Sequence, residues 1–244
     1  MAGIIELDNV SFSADGNLIV RNFSYSFEEG KTTAIIGPSG SGKSTVLKLA
    51  AGILVPTEGK VRFRGNEILT MNRQENLDFR RESSVVFQDA ALWANQNLDE
   101  NLALPLLTHF PEMSAPERKK RVNEVLGQVG YRRALNIRPS ALSMGEQKLV
   151  AFARALLCGP KLFFLDEWTE SLDDSAVNRA VQIVRRHRQE GNSVILVSHD
   201  FRIVKGLADY IVMIVEGAIS NVFTHEQIEN DEDLANRIES GITS

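Results

Sequence analysis

The 244-residue sequence predicts an α/β fold: a mostly parallel core sheet, an N-terminal antiparallel β subdomain and an inserted helical lobe. Three observations predict it. A glycine-rich segment, residues 37–44, joins an apolar strand to an amphipathic helix, the order of a strand–loop–helix unit. Two later apolar runs, Leu162 to Leu165 and Val194 to Val197, are separated by a charged amphipathic helix, the pattern of parallel strands covered on both faces. Apolar and polar side chains alternate through residues 4–36, whereas residues 89–157 carry helical periodicity. The whole chain, 1–244, reads as one domain with a helical subdomain at about 89–157 inside it.

In the opening segment Phe23, Tyr25 and Phe27 alternate with Ser24 and Ser26, the period of half-buried strands. Thr32 to Ile36 reads as a buried strand, and Ser44 to Ile53 as a helix with Val46, Leu47, Leu49, Ala50 and Ile53 on its apolar side. Residues 60–64 resume the alternation and end at a Gly65-Asn66 turn, and Ser84 to Phe87 is a short apolar strand ending at Gln88. In the lobe, Ser114-Ala-Pro-Glu117 has the form of a capping box, and Val122, Val125, Leu126 and Val129 make one helix face. Tyr210 to Val215, Glu216-Gly217 and Ala218 to Phe223 predict a closing hairpin, and the acidic tail from Thr224 a final solvated helix. No internal repeat or low-complexity linker interrupts this order.

Composition narrows the function classes. With 43% hydrophobic and 24% charged residues the chain is of the ordinary globular type. A formal charge of −5 argues against a large phosphate-backbone footprint, so nucleic acid is not an expected partner. The single cysteine, Cys158, cannot build a disulfide framework or a Cys-rich metal site within one chain, which suits a reducing cytoplasm. The N-terminus lacks the basic and apolar regions of a secretory signal. The most apolar stretches are broken by Arg154 and Gly159-Pro160, and any membrane link is expected to come through a partner.

Gly37-Pro38-Ser39-Gly40-Ser41-Gly42-Lys43-Ser44, followed by Thr45, fits the G-x-x-x-x-G-K-[ST] phosphate loop in its proper strand-to-helix context. Glycines let backbone N–H groups turn inward around phosphates, and the helix N-terminus adds partial positive charge. Lys43 is expected on the β- and γ-phosphates and the Ser44 hydroxyl on Mg²⁺. Asp166 and Glu167 end a buried strand, where ligands bind in open α/β sheets. Alone they would read as a solvated acidic turn. Beside a phosphate loop, Asp166 is expected to hold Mg²⁺ and Glu167 to polarise the attacking water. His199 ends the next strand and could reach the γ-phosphate, while the Gln88 amide could reach metal or water.

Leu142-Ser143-Met144-Gly145-Glu146-Gln147 resembles the LSGGQ signature of the ABC ATPase family, and the resemblance covers nearly the whole chain. Gln88 matches the Q-loop, Leu172-Asp173 the D-loop and His199 the switch. The resemblance implies a P-loop NTPase fold of ABC type that binds ATP and Mg²⁺ and hydrolyses ATP. It further implies a second ATPase subunit docked head to tail, Ser143 and Gly145 of one copy completing the site of the other, with Asp173 among the nucleotide-site residues. A transmembrane permease is the implied partner, with the chain peripheral on the cytoplasmic side of the inner membrane. Ser143-x-x-Glu146 also fits a plain capping box, and both readings can hold for one helix. Departures from the family pattern are Ala14 in place of an adenine-stacking aromatic, for which Phe12 is the substitute candidate, Met144 and Glu146 in the signature, and Trp168 in place of proline.

After Gln88, the stretches Gln88-Asp-Ala-Ala-Leu92-Trp93 and Asn101-Leu-Ala-Leu104-Pro105-Leu106 resemble ATPases of Mla/Mce-type phospholipid transporters. A periplasmic lipid-binding component is then a further implied partner. Lipoprotein-releasing and MacB-like ATPases share an Asn-x-x-x-Pro-Leu stretch, so they stay open as alternatives, as does a permease-free sulfur-mobilisation ATPase. The interval from Ser44 to Ser143 leaves no room for the coiled coils or zinc modules of chromosome and repair ATPases.

Overall fold

In the computed structural model, which describes residues 3–243, β1 (Gly3–Ala14) and β2 (Asn17–Glu28) pair antiparallel across Asp15-Gly16. β3 (Thr32–Ile36) follows and leads through the glycine-rich loop into α1 (Lys43–Ala50). β4 (Glu58–Phe63) and β5 (Asn66–Glu67) then complete a four-stranded antiparallel sheet in the order β2-β1-β4-β5. The predicted helix to Ile53 stops at Ala50. Gly52 turns the chain at φ 61°, and Arg80 donates to the carbonyls of Ala51 at 2.6 Å and Gly52 at 2.8 Å, satisfying acceptors the helix end leaves open.

Arg80 belongs to α2 (Arg73–Glu82), a helix the apolar pattern does not announce because Phe79 is its one buried residue. Its signal is the capping box of Asn72 and Glu75. β6 (Ser83–Val86) enters the core sheet, and the lobe follows as α3 (Leu98–His109), α4 (Ala115–Val129) and α5 (Met144–Leu156). The lobe's helices begin at Leu98, so residues 89–97 depart from the predicted helical run. Asn101, fully buried on α3, is the reason. Its amide donates to the carbonyls of Trp93 at 3.1 Å and Asn97 at 2.9 Å, and its Oδ1 accepts from the Trp93 amide at 2.8 Å, so one side chain serves backbone that a helix would have paired.

The chain returns to the sheet with β7 (Leu162–Asp166), α6 (Asp174–Gln189), β8 (Ser193–Val197) and α7 (Phe201–Leu207), and closes with the hairpin β9 (Tyr210–Val215) and β10 (Ala218–Thr224). The six-stranded order is β10-β9-β3-β8-β7-β6, parallel except for β10. Every residue of β3, β7 and β8 is buried, and their side chains alternate between two cores. Ala34, Ile36, Phe163 and Leu165 face the lobe, while Ile35, Phe164 and Ile195 face α1 and the antiparallel sheet. The acidic tail differs from the solvated helix predicted. It forms α8 (His225–Asn230) and α9 (Glu232–Thr243); Ile228 of α8 is buried in the lobe-side core, as are Ala235 and Ile238, which share one face of α9 at i, i+3 spacing.

Candidate functional site

Parallel pairing sends the C-terminal ends of β3, β6, β7 and β8 to one edge, where loops can converge on a ligand. β3 delivers the glycine-rich loop there. Gly37 has φ 145°, and a Cβ at that position would lie 2.1 Å from the Ile214 carbonyl oxygen, so no larger residue fits. Gly42 caps α1 at φ 97°, turning the chain so that the helix N-terminus faces the loop. The Lys43 ammonium donates to the carbonyls of Gly37 at 2.9 Å and Pro38 at 2.8 Å. Ser41 Oγ is buried without a hydrogen-bond partner among the described residues.

The Ser44 hydroxyl donates to Asp166 Oδ1 at 2.7 Å, joining the loop to the end of β7. Glu167 follows with φ 43°, its N–H held by the Val197 carbonyl of β8 at 3.1 Å. Its carboxylate meets His199 twice: Nε2 lies 3.1 Å from Oε1, and the His199 amide donates to Oε2 at 3.3 Å. Burial pushes the Asp166 carboxyl up, opposed by the Ser44 hydroxyl. Burial also pushes Glu167 up, against the pull of His199. Lys43 is lowered by desolvation, which the two carboxylates oppose. Loss of hydration thus dominates all three groups, as expected where a site is screened from water.

A cavity of about 280 Å³ is lined by Ser39, Lys43, Ser44, Gln88, Glu167 and His199, with Ile19 from β2 as its apolar wall. The site therefore assembles Gly37, Pro38, Ser39, Gly40, Ser41, Gly42, Lys43, Ser44, Thr45, Gln88, Asp166, Glu167 and His199 at one edge. Gln88 points its amide at Glu170 Oε2, 3.2 Å away. Ile19 was not foreseen; β-strand alternation alone gives no sign that this position faces a loop. Ala14 ends β1 opposite Asn17, and Phe12 packs part-buried against the antiparallel-sheet core.

Ser143, Gly145 and Asp173 are absent from this cavity lining. Ser143 caps α5, its Oγ accepting from the Glu146 amide at 3.2 Å while its own amide donates to Glu146 at 2.9 Å. Gly145 lies against the Ser171 carbonyl, where a Cβ would come within 2.5 Å. Asp173 caps α6 through the Ala176 amide at 2.8 Å. Lys148, Trp168 and Glu170, which flank Glu167, were also missed as a group because their contacts join segments distant in sequence.

Residues 20–170 match the family model described as ABC transporter. The chain is 33% identical over 234 residues, 95% of its own length and 88% of the relative's, to the intermembrane phospholipid transport system ATP-binding protein MlaF of Haemophilus influenzae. It is also 33% identical to the methionine import ATP-binding protein MetN of Haemophilus ducreyi, covering 88% of this chain and 64% of that one. A solved dimeric ATP-binding cassette in a post-hydrolysis state with ADP and Pi superposes with a TM-score of 0.83 at 30% identity, covering 91% of this chain and 98% of that chain. The chain belongs to the ABC transporter family as an ATP-binding and ATP-hydrolysing subunit.

Proposed function

We propose that this ATPase energises phospholipid transport at the inner membrane, with Glu167 as the group that activates water. The observation that carries the catalytic part is the joined rim: Ser44 on Asp166 at 2.7 Å beside Glu167 on His199 at 3.1 Å. Lys43 and the backbone N–H groups of residues 39–45 bind the phosphates. Glu167 takes the proton of the attacking water, and His199 holds the carboxylate in place. The hydroxyl of Ser44, the carboxylate of Asp166 and the amide oxygen of Gln88 are hard oxygen donors that fit Mg²⁺, which when bound neutralises phosphate charge.

Ser143 and Gly145 sit on a capped helix start away from their own chain's cavity, which supports their serving the nucleotide of a second copy, with Asp173 beside that seam. For the permease, the candidate groove is a cavity of about 310 Å³ lined by Phe87, Trp93, Leu104, Pro105 and His109. Trp93 is 45% exposed, with the Arg154 guanidinium 5.4 Å from its ring centroid, so it is an anchor rather than core filling. Among the described residues no helix is long and apolar enough to cross a membrane.

Phospholipid as cargo rests on the likeness to MlaF, whose length this chain covers more fully than that of the methionine-import relative. A periplasmic lipid-binding component belongs to the same reading. The test is purification of the native complex with identification of bound lipid, together with Glu167→Gln. Phospholipid above detergent background, and a variant that binds ATP without turning it over, are the expected results. A lipid-free complex ends the cargo assignment, and undiminished hydrolysis ends the catalytic one.

A further inference from the structure

The loop that follows the catalytic carboxylate is held by side chains the ATPase reading does not use. Glu167 and Ser171 both have positive φ, 43° and 66°, conformations that non-glycine residues keep only when their surroundings hold them. On one side the Glu167 amide is tied to β8 through Val197. On the other, the Glu167 carbonyl accepts from Lys148 Nζ at 2.8 Å, and Lys148, from α5, is 2% exposed. The same ammonium lies 3.6 Å from Glu170 Oε2, the oxygen that also accepts from Gln88 at 3.2 Å. Trp168 packs on Phe152 of α5 at 5.5 Å between ring centroids, and Gly145 at the start of α5 meets the Ser171 carbonyl.

A buried ammonium is costly unless its hydrogen bonds repay the lost hydration, and a packed apolar side chain of similar length would avoid that cost. Lys148 directs its charge at the Glu167–Trp168 peptide, one of the two whose orientation sets where the Glu167 carboxylate points. We propose that Lys148 is a positioning residue for the Glu167 carboxylate and that Glu170 links this position to Gln88. Through Lys148 the catalytic peptide moves with α5, the helix that carries Ser143 and Gly145. Through Glu170 it senses whether Gln88 is docked or withdrawn. Both elements that change surroundings when a second subunit or a permease engages therefore reach the same peptide.

This inference rests on Glu167 being the catalytic base, and the test separates the two. In the native transporter complex, Lys148→Met fills the buried volume without charge. It is expected to lower kcat about tenfold or more while KM for ATP and the melting temperature stay near those of the wild type, because misplacing a catalytic group slows chemistry without weakening ground-state binding. Glu170→Gln, at an exposed side chain, is expected to lower kcat by about threefold, and the double variant to be no slower than Lys148→Met, since residues acting through one contact are non-additive. Wild-type kcat in folded Lys148→Met, or simple multiplication of the two effects, overturns the proposal. If Lys148→Met does not fold, unchanged kcat in Glu170→Gln overturns it and the threefold loss at constant KM supports it. Retained hydrolysis in Glu167→Gln removes the underlying reading instead.

Discussion

Trp168 stands directly after Glu167, is 2% exposed and packs at a tilt on Phe152, yet its indole Nε1 is buried with no hydrogen-bond partner among the described residues. Two opposing terms follow. Truncation to alanine removes a fully buried aromatic and leaves a cavity, a loss of about 3–5 kcal/mol. In a chain of this size each kcal/mol moves the midpoint by about 2–4 °C, so Trp168→Ala should melt roughly 10 °C below the wild type. Trp168→Phe loses only part of the ring and also removes an unpaired buried donor whose desolvation costs about 1–3 kcal/mol. The two effects nearly cancel, and Trp168→Phe is expected within about 1 kcal/mol of the wild type. Urea and thermal unfolding followed by circular dichroism measure both. Because the sequence has two tryptophans, Trp168→Phe also leaves Trp93 as the sole indole reporter. If phenylalanine costs as much as alanine, the indole N–H has a partner and the two effects do not cancel.

Lys43→Ala should weaken ATP binding by at least about tenfold in calorimetric titration, since it removes the cationic side chain of the loop, and an unchanged Kd would contradict the phosphate-loop assignment. Ala14→Tyr should tighten ATP by up to about tenfold by adding a stacking surface at the end of β1; strong ATP-over-GTP selectivity in the wild type would mean that another residue already supplies the stack. Ser143→Arg should abolish ATP-dependent dimerisation of Glu167→Gln in sedimentation, and a surviving dimer would place the signature helix outside the shared site. His187 is buried against Phe163 and its pKa is lowered by desolvation from 6.5 to about 4. The unfolded chain takes up this proton first, so stability is complete above pH 6.5 and about 3 kcal/mol of it is lost as the pH falls to about 4. His187→Phe should show a flatter acid limb of the urea midpoint, and an identical limb would refute the assignment.

What the sequence reveals tracks how local each cause is. The strands Leu162–Asp166 and Ser193–Val197 match the apolar runs Leu162 to Leu165 and Val194 to Val197 because strands buried on both faces are mostly apolar. The phosphate loop, Asp166, Glu167 and His199 are legible for the same reason: each needs a particular residue type at the end of a recognisable strand. α2 is invisible to periodicity, since a helix lying on the surface with one buried Phe79 has no apolar stripe to detect. Residues 89–97 mislead because the helical signal of the lobe runs into them, whereas a single buried amide from Asn101 decides their conformation. The burial of Ile228 and Ile238 contradicts the solvated tail because an acidic average conceals the apolar residues of two short helices. Contacts such as Lys148 to the Glu167 carbonyl depend on packing between distant segments, which no window of sequence contains.

The site also shows why this ATPase has reason to act in pairs. The groups proposed to grip phosphate and to deprotonate water lie at the rim of one chain, but that cavity has an apolar wall from β2, and its lining includes neither Ser143 nor Gly145. A helix N-terminus capped by Ser143 carries partial positive charge that is of no use to its own nucleotide. In the solved dimeric cassette with ADP and Pi, a second copy is present. Head-to-tail docking would bring each capped helix to the other chain's phosphates, so ATP would serve as the adhesive between subunits until hydrolysis splits the γ-phosphate away. Because α5 also holds the loop behind Glu167 through Gly145, Lys148 and Phe152, the docking that completes the phosphate site would tighten the peptide carrying the base. Binding and chemistry would then share one mechanical element.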